Sequence, residues 1–277
     1  MTIQGTISSI WSYPVKSMVG TRVESAQLTE RGIEGDRRLA LRDLETGKIL
    51  SAKVPSVGRR LLALEPSIDD AGIVSIEIDG TVHSSADPDA LDAALSALLG
   101  RSVELTSDTR DGDVYASEWP EIDGLALSGI ELDLPIAMST APGTFVDLAG
   151  LHIVADSTIA ALDRSLPDTV IDTRRFRPSF TVDVDGGGDF AENDWVDATA
   201  TVGDTVIRFG AVSPRCVMTT LEQPGLPSAK EILRTLAATN RHDFQGVGDF
   251  ACLGIYAEVV TPGTIDVGQQ IVISPPG

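Results

Sequence analysis

The sequence is short of cysteine, histidine, aromatic residues and basic charge, and most of these shortages exclude something. Its 277 residues include only two cysteines, Cys216 and Cys252, and neither belongs to a CxxC pair. That count excludes a disulfide-stapled scaffold. The three histidines, His83, His152 and His242, stand alone in the sequence, so the closely paired ligands of a structural zinc site are missing. No segment approaches the roughly 18 to 20 uninterrupted apolar residues that a membrane-spanning helix needs. The opening residues, MTIQGTISSIWSYP, have no basic head followed by an apolar run, which argues against both a secretory signal and an arginine-rich transit peptide. A cytoplasmic location is expected. Basic side chains number 21 against 41 acidic ones, and the resulting net charge of −20 repels nucleic acid and anionic membranes. Nucleic-acid binding is not expected.

What is present is the composition of a globular protein long enough to form two joined lobes, with 42% hydrophobic and 22% charged residues. The first half reads as short strands between turn signals. These are residues 3–12, 23–28, 38–43, 61–65 and 73–79, the last followed by an Asp79-Gly80 turn and a return over 81–83. Asp87-Pro88 opens a helix that Gly100 stops, with Asp as N-cap and Pro at the first helical position. An irregular acidic stretch over about 107–135 joins the lobes. Beyond it come strands at 152–155, 180–184, 205–209, 216–221, 253–260 and 271–274, with helices over 156–166 and 228–239. The fold class expected is α+β and β-rich. An N-terminal β-barrel-like lobe with a helix (1–125) joins a second β-barrel domain with peripheral helices (126–277).

Against the acidic background, local basic clusters mark where an anion would bind. In Tyr13-Pro-Val-Lys-Ser17, Lys16 offers a cation and Ser17 a hydroxyl donor, a pair suited to phosphate, or simply a solvated lysine after a strand. In Gly32-Ile-Glu-Gly-Asp-Arg-Arg38, Asp36 can orient the Arg37 guanidinium toward a phosphate, or form only a surface ion pair. Arg174-Arg-Phe-Arg-Pro178 places three arginines within four residues. Read as extended chain, it sends Arg175 and Arg177 to one side, toward one anion. Nearby Asp168, Asp172 and Asp183 offer the alternative of internal neutralisation. In Ser213-Pro-Arg-Cys216, Arg215 can stabilise a Cys216 thiolate, whereas Cys252 sits in the apolar run FACLGIYAEV and reads as a buried spectator. A single thiolate suits a soft metal whose other ligands come from a cofactor. Tyr115, Trp119, Arg241, His242 and Phe244, in two loops, can hold an aromatic substrate or be ordinary loop residues.

These stretches, in this order, resemble the MOSC family. The likeness runs from IWSYPVKSMVG through GDRRLAL, RRFRPSFTVD, FAENDW and PRCVMTT to LGIYAEVVTPGTIDVGQ, nearly the whole chain. It is closest to members that pair an N-terminal β-barrel domain with the MOSC domain, among them the mitochondrial amidoxime reducing component and its bacterial relatives. The resemblance implies a molybdenum–molybdopterin cofactor between the lobes. Lys16, Ser17 and Arg37 would hold its phosphate, and Arg177, with Arg175 beside it, would contact it from the second lobe. Cys216 would be the protein ligand to molybdenum with Arg215 alongside, and the helix start at Asp156, Ser157 and Thr158 would offer further donors. The implied activity is oxygen-atom removal from a small N-hydroxylated or S-oxide substrate. Electrons would come from a separate donor protein such as a ferredoxin or flavoprotein, because the chain ends without the fused ferredoxin domain of some relatives. The alternative is a carrier of the cofactor, or of sulfur as a Cys216 persulfide. Two departures stand out. Leu221-Glu-Gln-Pro-Gly replaces a common Val-Asp-Pro continuation, and Ser179 stands where asparagine is frequent.

Overall fold

The computed structural model describes residues 2–69 and 71–276. Among these, seven strands close a barrel: β1 (Ile3–Ser12), β2 (Leu151–Ala155), β3 (Phe180–Val184), β4 (Thr199–Val202), β5 (Thr205–Pro214), β6 (Asp249–Thr261) and β7 (Gln270–Ser274). Around the barrel the order is β2, β3, β1, β7, β4, β5, β6, and β6 pairs back to β2 through Leu151–Ala257 and Ile153–Ile255. All neighbours are antiparallel except β2 and β3. Closure removes the open edges that a sheet of this length would otherwise present. Ile7, Ile10, Ile153, Phe180, Val182, Trp195, Phe209, Ile255 and Ile271 fill the interior. Burying each such side chain is worth roughly 1.5–3 kcal/mol.

The first strand belongs to this barrel. Ile3–Ser12 pairs with β3 on one side and β7 on the other, so the leading residues are built into the sheet of the second half. A second core, formed by Val15, Met18, Leu41, Leu61, Ile76, Leu91, Leu95 and Val103, packs under helices α1 (Pro55–Leu61) and α2 (Pro88–Leu99). Helix α2 starts at an Asp87 carboxylate that accepts from the Ala90 N–H and stops at Gly100 in the left-handed conformation. A third cluster joins α3 (Asp156–Ser165) and α4 (Lys230–Thr239) to the outside of the barrel through Leu162, Phe176, Ile232 and Leu236.

Several segments differ from the sequence reading. Residues 61–65 are not a strand: Leu61 ends α1, and Leu62–Leu64 form the turn after it. The run 216–221 is not extended, because the Thr219 and Thr220 hydroxyls donate back to the Cys216 and Val217 carbonyls and tighten Val217–Thr220 into a 3-10 turn. The stretch 107–135 contains a hairpin, Val114–Glu118 against Glu131–Pro135. Residues 23–28 divide into two strands, Thr21–Val23 on β1 and Ser25–Thr29 against Gly263–Asp266.

Candidate functional site

The site grows from two loops that follow early strands. The Lys16 N–H donates to the Leu39 carbonyl at 2.8 Å and the Leu39 N–H to the Pro14 carbonyl at 3.0 Å, joining residues 13–17 to 36–39. Asp36 fixes the corner by accepting the Tyr13 N–H at 2.6 Å. From there the Arg37 carbonyl accepts the Phe145 N–H at 2.8 Å, which brings Val146 and Asp147 to the same place. The Ser17 hydroxyl oxygen accepts the Ala52 N–H at 3.0 Å, so the loop carrying Lys53 docks there as well. The barrel supplies the opposite wall. Arg177 lies just before β3 and Arg215 and Cys216 just after β5, while His152 and Tyr256 stand on the paired strands β2 and β6.

The result is a cleft of about 740 Å³, its open mouth included, lined by Lys16, Ser17, Arg37, Lys53, Asp147, His152, Arg177, Arg215, Cys216 and Tyr256 among others. Three non-glycine residues here, Ser17 (φ 66°), Arg37 (φ 46°) and Arg177 (φ 54°), adopt the left-handed conformation. Each costs on the order of 1–3 kcal/mol, and such strain gathers at functional sites.

Positive charge dominates the lining. Lys16, 5% exposed, pairs with Asp147 and donates to the Phe145 carbonyl. Burial pulls its pKa down to about 8, against the opposing pull of Asp147. Lys53 shares that carboxylate at 3.0 Å and donates to the Tyr115 hydroxyl at 2.9 Å. Burial disfavours its charge too, yet Asp147, with Tyr115 and Cys216, holds its pKa well above the ordinary value. Although burial opposes it, the two ammonium groups hold the Asp147 carboxyl far below the usual range. Arg37 pairs with Asp36. Among the described residues Arg177 has no carboxylate partner; it donates to the Met18 carbonyl and its Nη2 is buried without an acceptor. Burial, then the nearby Arg37, lowers its pKa to about 10.

The Arg215 guanidinium is held by its own strand end and by the segment before β3. It donates to Ser213 Oγ at 2.9 Å and the Phe176 carbonyl at 2.8 Å and lies 3.4 Å from His152 Nε2, leaving its Nε unpartnered. Burial and then Arg215 push the His152 pKa well down, so the ring is neutral. Its Nε2 is 3.1 Å from the Leu253 carbonyl. Gly254 makes this possible, since a Cβ there would lie 2.2 Å from that nitrogen. Cys216 is 7% exposed in the lining, whereas Cys252 is fully buried with its thiol pushed up to about 12 by burial.

The structure thus brings together Lys16, Ser17, Arg37, Arg177, Arg215 and Cys216. It does not bring Arg175, whose segment Thr173–Arg175 is a 3-10 turn and not extended chain. That turn sends Arg175 inward, fully buried, to the Val170, Thr219, Leu221 and Pro227 carbonyls. Asp156, Ser157 and Thr158 also lie outside the lining. Thr158 donates to buried Glu192, whose other oxygen accepts the Gly254 N–H at 2.9 Å, so FAENDW is a structural motif here. Tyr115, Trp119, Arg241, His242 and Phe244 are absent from the lining as well. Trp119 and Phe244 instead pack on Phe250, with ring centroids 5.3 and 6.1 Å away. Sequence reasoning missed Lys53, Asp147 and Tyr256 and left His152 without a role.

Fold and cleft together define a β-barrel protein with a second lobe and a cationic, thiol-bearing site between elements of both halves. Family models agree: residues 4–119 match the MOSC N-terminal beta barrel domain and residues 142–272 the MOSC domain. The chain belongs to the MOSC family. Among curated relatives, Mus musculus mitochondrial amidoxime-reducing component 1 is 22% identical over 285 residues, covering 96% of this chain and 82% of that one. Homo sapiens component 1 is 24% identical over 300 residues, with the same coverage of each chain. Among solved structures, the YUAD protein from Bacillus subtilis matches with a TM-score of 0.44 and 10% identity, over 99% of this chain and 97% of that one.

Proposed function

We propose that the protein is a molybdenum cofactor-dependent oxidoreductase. It would reduce N-hydroxylated compounds, such as amidoximes and hydroxylamines, or S-oxides, with electrons from a separate donor protein. The observation that carries this reading is the convergence of Lys16, Arg37 and Arg177 with Cys216 in one cleft. The residues fit such a group. Among the described residues Arg177 Nη2 and Arg215 Nε are buried donors without acceptors, and a bound anion would satisfy them. A single protein thiolate, Cys216, suits a metal whose remaining ligands would come from a cofactor.

Lys16, Ser17, Arg37 and Arg177 would hold the phosphate, and Cys216 would present the thiolate. The group would supply two-electron redox chemistry and a place for the transferred oxygen. Val146, Phe176 and Met218 make part of the lining apolar and limit water there. A carrier that passes sulfur to a partner needs an open thiol, and the 7% exposure of Cys216 favours a resident group instead. Among the described residues no helix is long and apolar enough to cross a membrane. A cytoplasmic setting and a division at residue 125 complete the proposal, with β1 crossing that division to the barrel.

The test is expression in a host that makes the cofactor, followed by molybdenum and pterin analysis per chain for wild type, Cys216→Ala and Arg177→Ala. Near-stoichiometric loading that falls in the variants, with amidoxime reduction driven by reduced viologen, is expected. A wild-type protein purified empty from a host that loads a control enzyme sinks the reading.

A further inference from the structure

Tyr13 is buried, is not among the residues lining the cleft, and touches two of the cleft cations. The Arg37 guanidinium carbon lies 4.7 Å from its ring centroid and that of Arg177 4.2 Å. These are like charges in a dry place, and among the described residues only Arg37 has a carboxylate partner. The repulsion is visible in Arg177, whose proton affinity falls through burial and then through Arg37. Something must offset it, and the electron-rich face of one ring attracts both guanidiniums. The ring itself is fixed. Its backbone N–H is held by Asp36 and its carbonyl accepts the Arg37 N–H at 2.6 Å. Gly20 lies so close that a Cβ there would come 2.2 Å from the ring edge. Among the described residues the buried hydroxyl has no partner, so the protein's own hydrogen bonds to it do not account for this placement.

We propose that Tyr13 is a positioning residue whose ring holds Arg37 and Arg177 together as one anion seat. The proposal rests on the reading of the cleft as a phosphate site. The ring and not the hydroxyl does this, which separates the role from a hydrogen-bonding one.

The test is calorimetric titration of the full chain, free of cofactor, with inorganic phosphate at low salt. Tyr13→Phe keeps the ring and should bind within about threefold of wild type, whereas Tyr13→Leu and Tyr13→Met should bind about tenfold more weakly. Near-ultraviolet circular dichroism, well below the midpoint of thermal unfolding, selects the variants that are folded. A purely structural role predicts unchanged affinity in every folded variant, and that result overturns the proposal. So does a Phe variant as weak as the aliphatic ones. If neither aliphatic variant folds, Arg37→Lys decides. It keeps the charge but gives up the planar group over the ring, so about fivefold weaker binding is expected and undiminished binding overturns the proposal. Wild-type protein that binds no phosphate refutes the anion seat itself, an outcome distinct from any difference among Tyr13 variants.

Discussion

Arg175 and Arg177 are two residues apart and live in opposite circumstances. Arg175 is fully buried with four carbonyls around its guanidinium, and nothing further can bind it. Arg177 is almost as buried, yet it keeps a donor without an acceptor and stands near another arginine. One region has its charge settled by the fold, while the other carries unmet hydrogen-bonding capacity into a cleft. The contrast teaches that burial and clustering of arginines do not by themselves mark a binding site; what separates these two is where each guanidinium finds its acceptors.

The largest effect that would sharpen this contrast is on stability. Arg175→Met should cost about 3 kcal/mol, because it strands buried carbonyls, and urea unfolding would read it. A loss below 1 kcal/mol would mean that those contacts matter little. Arg177→Met should cost no more than about 1 kcal/mol but weaken anion binding about tenfold, since it removes a strained like charge and an unfilled donor together. Equal effects of the two substitutions on both readouts would erase the distinction.

A pH dependence comes next. Lys16 has its folded pKa lowered to about 8 from 10.5. Between those values the unfolded chain binds more protons, so this group makes the free protein more stable as pH rises through that window. Anion affinity runs the other way, because the ammonium is lost above about 8. Sulfate, whose charge is constant there, should bind several-fold more weakly at pH 9 than at pH 7. Lys16→Gln should remove that step, and a wild-type affinity that is flat with pH would contradict it. The smallest effect concerns the cysteines. In native protein a maleimide should label Cys216 slowly and leave Cys252 untouched until unfolding, as their 7% and 0% exposures require. Mass spectrometry of labelled peptides would show any reversal.

Much of the barrel was legible because its strands alternate or run apolar between turns, as at 180–184 and 271–274. Helix α2 was legible from its Asp-Pro start and Gly stop. Helix α1 was not, since Val54 gives no side-chain cap and Gly58 interrupts a stretch of only seven residues. The Val-Met-Thr-Thr run misled through its β-branched composition, which lost to local hydroxyl-to-carbonyl bonds. For the site, residues in tight motifs were visible: Lys16, Arg37, Arg177 and Cys216. Lys53, Asp147 and Tyr256 were not, because each is one ordinary residue whose meaning comes from pairings far away in sequence. Asp147 is the clearest case, as its carboxylate faces Lys16, 131 residues earlier.

The place of β1 in the barrel sets an order of events. Ile3–Ser12 is made well before its two barrel neighbours, Phe180–Val184 and Gln270–Ser274. At ribosomal speeds the second of these follows after roughly tens of seconds. Over that interval Ile3–Ser12 has only the short strand Thr21–Val23 beside it, and its remaining edge is open to chance pairing with other chains. The sheet therefore closes only once Gln270–Ser274 has been made. The anchor loop at Tyr13–Ser17, joined directly to Ile3–Ser12, reaches its final setting only then.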